Sequence, residues 1–410
     1  MEFRLEDKEL VKLDKEIYEF NKQYGLALIS LSKIPNLYAK DNLVGKIDVL
    51  IKNFKSIKVV SRFDSLFVSH ALKTLEVQKS YLIYFTTAGE GDIDFLFSNV
   101  LGKDSLDFIK KSSKSFDYEK YWEYFLSYQE YSHRQVPSDD ENIRGKLKEV
   151  LALLKVDIMN YAEEHFAFPK DYEFDLVLGQ PYSNQTYFHP TTKRMEVAPS
   201  MFFVFKENGA VKINISLVIN ALFHEILGHG RHEFNSKNLP MSLRSESINN
   251  SNIVSGIHLE GIAQINREYA ADFMKKYAKK YKIEDDYIEQ FELSLVGDEA
   301  SILRILFNYF KLKNAENNKF DVEKEFKKIT GNHGLYLTFS SMPDDSIGCV
   351  VQAKYPIGKL RIENILKRLE KDLGKKEFEK KRAIINKAIS VGVWHTDVLY
   401  DFVKLYLKDR

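Results

Sequence analysis

The chain has almost no cysteine, no long apolar run and no surplus of charge, and each shortage removes a class of protein. Cys349 is the single cysteine in 410 residues. No intrachain disulfide can form from it, and zinc sites that need two or four cysteines are excluded by the same count. No window approaches the ~18 uninterrupted apolar residues of a membrane helix. Lys and Arg number 60 against 59 Asp and Glu, a formal charge of +1. So balanced a chain gives no global electrostatic case for binding nucleic acid or a membrane surface. The first residues, Met1-Glu2-Phe3-Arg4-Leu5-Glu6-Asp7-Lys8, lack the apolar core of a signal peptide. The expected compartment is the reducing cytoplasm.

What is present is the mix of a folded protein: 44% hydrophobic and 29% charged residues. Residues 1–170 read as a helical N-terminal region. Leu10, Leu13, Ile17 and Phe20 recur at three- and four-residue steps, and similar patterns run over 43–57, 65–75, 92–109 and 142–167. Turns are expected at Pro35-Asn36, Gly89-Glu90-Gly91 and Pro137-Ser138-Asp139-Asp140. From 173 to 215 the period changes. Residues 174–178, 200–206 and 211–214 predict strands, and an apolar helix through Leu217, Val218, Ala221, Leu222 and Ile226 follows at once. The rest, 255–410, returns to helical patterns, broken near 331–348. The expected class is α+β, mostly helical, with a short sheet beside the apolar helix.

That helix carries His224-Glu225-Ile226-Leu227-Gly228-His229. A hydrolytic metal site needs three protein ligands, an open position and a carboxylate to take a proton from water. Histidines four apart on a helix stand ~40° from eclipsed, whereas five apart they diverge by ~140°. The spacing here therefore demands a one-residue bulge, Gly228 is the residue best suited to permit it, and glycines at 228 and 230 also permit close backbone approach. Two imidazoles and a carboxylate in an apolar helix are costly without partners or a function. His224 and His229 are the candidate ligands, and Glu225 is the general base. Glu260, on the next helix in His258-Leu259-Glu260-Gly261-Ile262-Ala263, is the candidate third ligand.

The stretch from His224 to Gly230 resembles the signature of dipeptidyl peptidase III, which also spaces its histidines by five. Glu260-Gly261-Ile262-Ala263 is similar to the Glu-Gly-Leu-Ala motif of the microtubule-associated tyrosine carboxypeptidase family. That family combines a His-Glu-x-x-x-His helix with a downstream Glu ligand at about this separation. Gln352-Ala353-Lys354-Tyr355-Pro356-Ile357-Gly358-Lys359 resembles the Tyr-x-x-Gly segment found late in this and other glutamate-zincin families. The chain departs at Gly228, where the family usually has Thr or another residue, and at His258-Leu259, where it often has Thr-Glu. Arg267-Glu268-Tyr269-Ala270-Ala271-Asp272 is a faint echo of the dipeptidyl peptidase pattern and makes Glu268 the second choice of third ligand.

The resemblance implies a zincin-like metallopeptidase region over 171–410, one zinc ion per chain, and a peptide or protein substrate. Carboxypeptidase action is the preferred subtype. A dipeptidyl peptidase or aminopeptidase of the same zinc class, a silent zinc-binding or protein-binding module, and a non-peptide amide hydrolase stay open. Tyr355 is a candidate donor to a developing oxyanion, and His258 is a candidate for the same role or for supporting the ligands. Arg231, His232, Arg304, Lys354, Lys359 and Arg361 are the basic residues nearest the motifs, any of which could grip a substrate carboxylate. The run Lys275, Lys276, Lys279, Lys280 and Lys282 reads as a solvated face.

Overall fold

The computed structural model describes residues 3–31, 43–59, 61–86, 93–101, 107, 109, 117–123, 126, 140–180, 186–199, 202–205, 211–244, 253–283, 285–316, 320–331, 333–340 and 354–408. The turns expected at 35–36, 89–91 and 137–139, together with Cys349, Gln352 and Ala353, lie outside the described residues. The architecture is mostly helical α+β, as expected. Among the described residues no helix is long and apolar enough to cross a membrane.

Helices α1 (Lys8–Leu31), α2 (Leu43–Ser56), α3 (Arg62–Thr86), α4 (Ile93–Leu101) and α5 (Glu141–Phe166) precede the sheet. The Asp140 side chain caps α5 by accepting from the Asn142 amide at 2.8 Å. The strands are β1 (Asp175–Leu178), β2 (Tyr187–His189), β3 (Arg194–Val197), β4 (Phe203–Phe205) and β5 (Val211–Ile213). β3 lies between β1, parallel to it, and β2, antiparallel to it, while β4 and β5 form a separate pair. β2 is thus an edge strand. β1, β4 and β5 fall where the residue pattern put them, whereas β2 and β3 have three and four residues, too few to register a two-residue period.

One rod then runs from α6 (Ile215–Leu222) through a π-helical turn (Phe223–Gly230) into α7 (Arg231–Ser236). Asn214 starts it, its side chain accepting from the Leu217 amide at 3.2 Å. After it come α8 (Ile253–Tyr281), α9 (Asp285–Glu316), α10 (Val322–Thr330), α11 (His333–Ser340), α12 (Lys354–Leu373), α13 (Lys375–Lys380), α14 (Arg382–Ile389) and α15 (Thr396–Lys408).

Three apolar clusters hold these elements. One joins α1–α3 to α12–α15 around Trp394. A second joins α5, the sheets, the rod and α8, and a third gathers α4 and α9–α11. Residues from either side of position 170 therefore share cores. Asp14 of α1 adds a polar tie: its carboxylate accepts from the Met241 amide at 2.7 Å and the Ser242 amide at 2.9 Å. The lysine run after Ala271 is a solvated face, with Lys275, Lys276 and Lys280 all more than half exposed and paired with Glu292, Glu164 and Asp157.

Two buried histidines in the first cluster make acid stability predictable. The His70 ring packs edge-on against Trp394 at 5.6 Å, and its Nδ1 accepts from the His395 amide at 2.8 Å. Burial, with His395 and His258 nearby, pushes His70 down to about 3. Burial, opposed by Asp397 and helped by Arg361 and Lys73, pushes His395 down to about 4. Both folded values lie below the unfolded value of about 6.5, so the unfolded chain takes up protons first. Their contribution is complete above about pH 6.5 and is lost as pH falls toward 4. Unfolding by urea should show a loss of about 2 kcal/mol per histidine between pH 7 and pH 5, and a flat profile would contradict this account.

Candidate metal centre

The rod supplies the widened turn that the five-residue spacing demands. Over Phe223–Gly230 the backbone is π-helical, so each amide reaches back five residues and five positions complete roughly one turn. The rings of His224 and His229 consequently meet, with centroids 5.1 Å apart and planes at 75°. Phe223, Ile226 and Leu227 face the second core and are fully buried, which fixes the side the histidines occupy.

Of the two uses expected of Gly228, close approach is the one its surroundings show. Its backbone is not left-handed, since positive φ among the described glycines occurs at Gly331, Gly374 and Gly392. A Cβ at Gly228 would stand 2.6 Å from the Ala263 Cβ and 2.9 Å from its Cα. The glycine is needed for close approach of the rod to α8, and the bulge is spread over the whole turn.

That approach brings in Glu260. Its Oε2 lies 3.4 Å from His224 Nε2 and 3.7 Å from His229 Nε2. The three donor atoms fall within 4.8 Å of one another. Donors each ~2.1 Å from a shared tetrahedral ion stand about 3.4 Å apart. Glu260 Oε2 is buried with no hydrogen-bond donor, an arrangement that is costly unless a cation faces it. These three side chains can hold a metal ion.

Burial by itself would raise the Glu260 carboxyl, but His224, His229 and Lys354 outweigh it and hold the group down at about 2. It is therefore ionised, as a ligand must be. Glu268, the second choice, is not brought to the cluster: it is half exposed and pairs with Lys359 at 3.2 Å. No protein-family model matches the chain, and no curated protein matches it.

Glu225 is buried beside the ligands, its Oε1 4.0 Å from His224 Nε2. Its other oxygen accepts from the Phe188 backbone amide at 2.8 Å. Phe188 sits mid-way along the edge strand β2, so that strand fixes the carboxylate's orientation. Sequence reasoning did not find Phe188, because a backbone donor leaves no mark on residue type.

Tyr355 opens α12 beside the cluster. Burial and the negative charges of Glu260 and Glu225 push its phenol upward, so it keeps its proton at neutral pH and can donate it in a hydrogen bond. Lys354, next to it, pairs with Glu260 Oε1 at 3.3 Å. Of the six basic residues named as candidates for gripping a carboxylate, Lys354 reaches the ligands. Arg231 and His232 are sealed from solvent, Lys359 is held by Glu268 and Glu363, and Arg361 by Asp397 and Thr396. Arg304 is placed on α9, with its charge felt at Tyr121.

His258 is a correction. It is fully buried, its Nε2 lies 2.9 Å from the Ile389 carbonyl, and its Nδ1 accepts from the Trp394 amide at 3.0 Å. Both ring nitrogens are occupied by backbone, so neither can reach a reacting oxygen. Its part is to pin α8 to the segment after α14.

Glycine contacts set the distance between α8 and α12. A Cβ on Gly261 would meet the Gly358 carbonyl carbon and oxygen at 2.5 Å, and one on Gly358 would meet the Ile257 oxygen at 2.2 Å. Glycine at both places lets the backbones touch and lowers Lys354 and Tyr355 onto Glu260. The Tyr-x-x-Gly spacing thereby acquires a packing reason.

Proposed function

We propose that the chain is a zinc-dependent peptidase, with His224, His229 and Glu260 as the zinc ligands. The observation that carries this reading is the buried, donorless Glu260 Oε2 facing both imidazole Nε2 atoms, with Glu225 held beside them. Two imidazoles and one carboxylate also suit ferrous iron. The adjacent carboxylate turns the reading toward hydrolysis, because water attack on an amide needs a base at this place. When bound, zinc supplies Lewis acidity that makes nearby water a better nucleophile and polarises a carbonyl.

Glu225 then takes the proton from the attacking water and returns it to the leaving amine. The Phe188 amide restrains Oε2, so Oε1 is the oxygen left to move the proton. Tyr355 donates to the oxygen that becomes negative as the carbonyl carbon turns tetrahedral. Carboxypeptidase action is the subtype we favour, on the motif resemblance. The Phe188 amide already serves Glu225, so that donor of β2 is not open to a peptide backbone laid along the edge.

The test is metal analysis together with mass spectrometry of products from mixed peptides. About one zinc per chain is expected, with His224→Ala or His229→Ala abolishing it, and residues should leave from the C-terminus. A protein that purifies without metal and takes up none from added zinc would overturn the reading. Removal of residues from the N-terminus would replace the subtype.

A further inference from the structure

Lys354 is the first residue of α12, where the positive end of the helix dipole disfavours a cation. Its side chain is nonetheless buried with that of Glu260, the two being 12% and 11% exposed, and Nζ stands 3.3 Å from Oε1. Nζ also lies 5.0 Å from the centre of the Tyr355 ring. Burying an ammonium has a desolvation cost that a single ion pair seldom offsets. The contact therefore calls for a use.

The route of that side chain is built into the opposite helix. Gly256 lies on α8, one turn before Glu260 and on the same face. A Cβ there would stand 3.1 Å from the Lys354 Cδ and 3.7 Å from its Cβ. With Gly261 and Gly358 it lets the lysine stem lie against α8 and carries the ammonium to Glu260. The two oxygens of Glu260 are consequently unequal. Oε1 has the ammonium, whereas Oε2 has no hydrogen-bond donor and faces the Nε2 atoms of His224 and His229 at 3.4 and 3.7 Å. The Tyr355 phenol also lies within reach of this carboxylate. Its proton is assigned to the substrate oxygen, which leaves the lysine to hold the ligand.

We infer that Lys354 is a positioning residue of the metal centre: it keeps Oε1 off the ion, makes Glu260 a one-oxygen ligand, and leaves the remaining position to water. A carboxylate can give a metal one oxygen or both, and the charge on Lys354 competes for the second. Three single donors and one water complete a tetrahedron. A second oxygen from Glu260 would crowd the place where water must sit. Groups behind the ligands fix ligand orientation in this way at metal sites generally. Lys354 is thereby committed to the ligand and is not a grip for a substrate carboxylate. The inference rests on the metal-binding part of the proposed function and is indifferent to which bond is hydrolysed.

The full chain is stripped of metal and reloaded with cobalt(II), whose visible absorption is strong in four-coordinate sites and much weaker when further donors bind. The wild type should show the strong spectrum. Lys354→Met keeps an unbranched stem but no charge, so Oε1 should join the ion and most of the absorption per bound cobalt should be lost. A lysine that served packing alone would, when replaced, reduce the cobalt bound and leave the absorption per ion unchanged, and that result would overturn the inference. If Lys354→Met does not fold, crystals of the zinc-loaded wild type decide. Oε2 about 2.1 Å from the zinc, with Oε1 still on Lys354, is expected, and both oxygens on the zinc would overturn the inference. A wild type that takes up neither cobalt nor zinc would overturn the metal reading, and this inference with it.

Discussion

On the proposed peptidase reading, Glu225→Gln should still bind a metal ion and lose peptide hydrolysis by about a thousandfold, within the range that general-base removal produces. Glutamine preserves the shape, and its carbonyl oxygen can still accept from the Phe188 amide, which the carboxylate does at 2.8 Å. The fold and the ligand triangle are therefore left in place, and only the capacity to take a proton is gone. Metal content and hydrolysis are measured on the same preparation, so failure to bind and failure to react cannot be confused. Undiminished turnover with full metal content would dismiss Glu225 as the base. Loss of metal along with activity would show that the residue holds the ligands in place.

The second large effect is expected at Gly358. Replacing it with alanine places a carbon 2.2 Å from the Ile257 carbonyl oxygen and 2.8 Å from the Gly261 nitrogen, both backbone atoms that cannot swing away. The helices must part, at about 3 kcal/mol for overpacking of this kind. As α12 moves off α8, Lys354 leaves Glu260 Oε1 and Tyr355 leaves the cluster. Gly358→Ala should thus lower both the urea midpoint and the metal affinity. Gly145→Ala is the control, because a Cβ at that helical position meets nothing within 4 Å. It should stabilise by about 0.5–1 kcal/mol. Equal behaviour of the two variants would show that glycine packing does not govern the site.

How much of this could be read from the residues differs by feature. The π turn was legible because two histidines five apart cannot share an ion on a regular helix, whatever surrounds them. Glu260 was legible from its motif, and the long helices from their period. The short strands β2 and β3 were not, and with them went Phe188, whose contribution is a main-chain amide. Gly228 was legible as a point of close approach, but sequence shows only that a residue lacks a Cβ and not that Ala263 is the neighbour needing the space. His258 and Arg231 are both placed away from the substrate roles considered for them. Each lies beside a motif and is chemically capable of acting on substrate, but each is sealed, and exposure depends on how distant helices close over it.

The wide turn also bears on how the chain could change. Deleting a single residue between His224 and His229 would restore an ordinary four-residue helical spacing and still offer two imidazoles to an ion. Five positions of the wide turn and four of a regular helix both complete about one turn, so the rest of the rod would keep the faces it now presents. Arg231, His232 and Glu233, all interior now, would stay turned inward, and the Tyr172 hydroxyl would keep Glu233. The extra residue is thus a local insertion that the packing beyond it does not require, and the commoner spacing lies one deletion away.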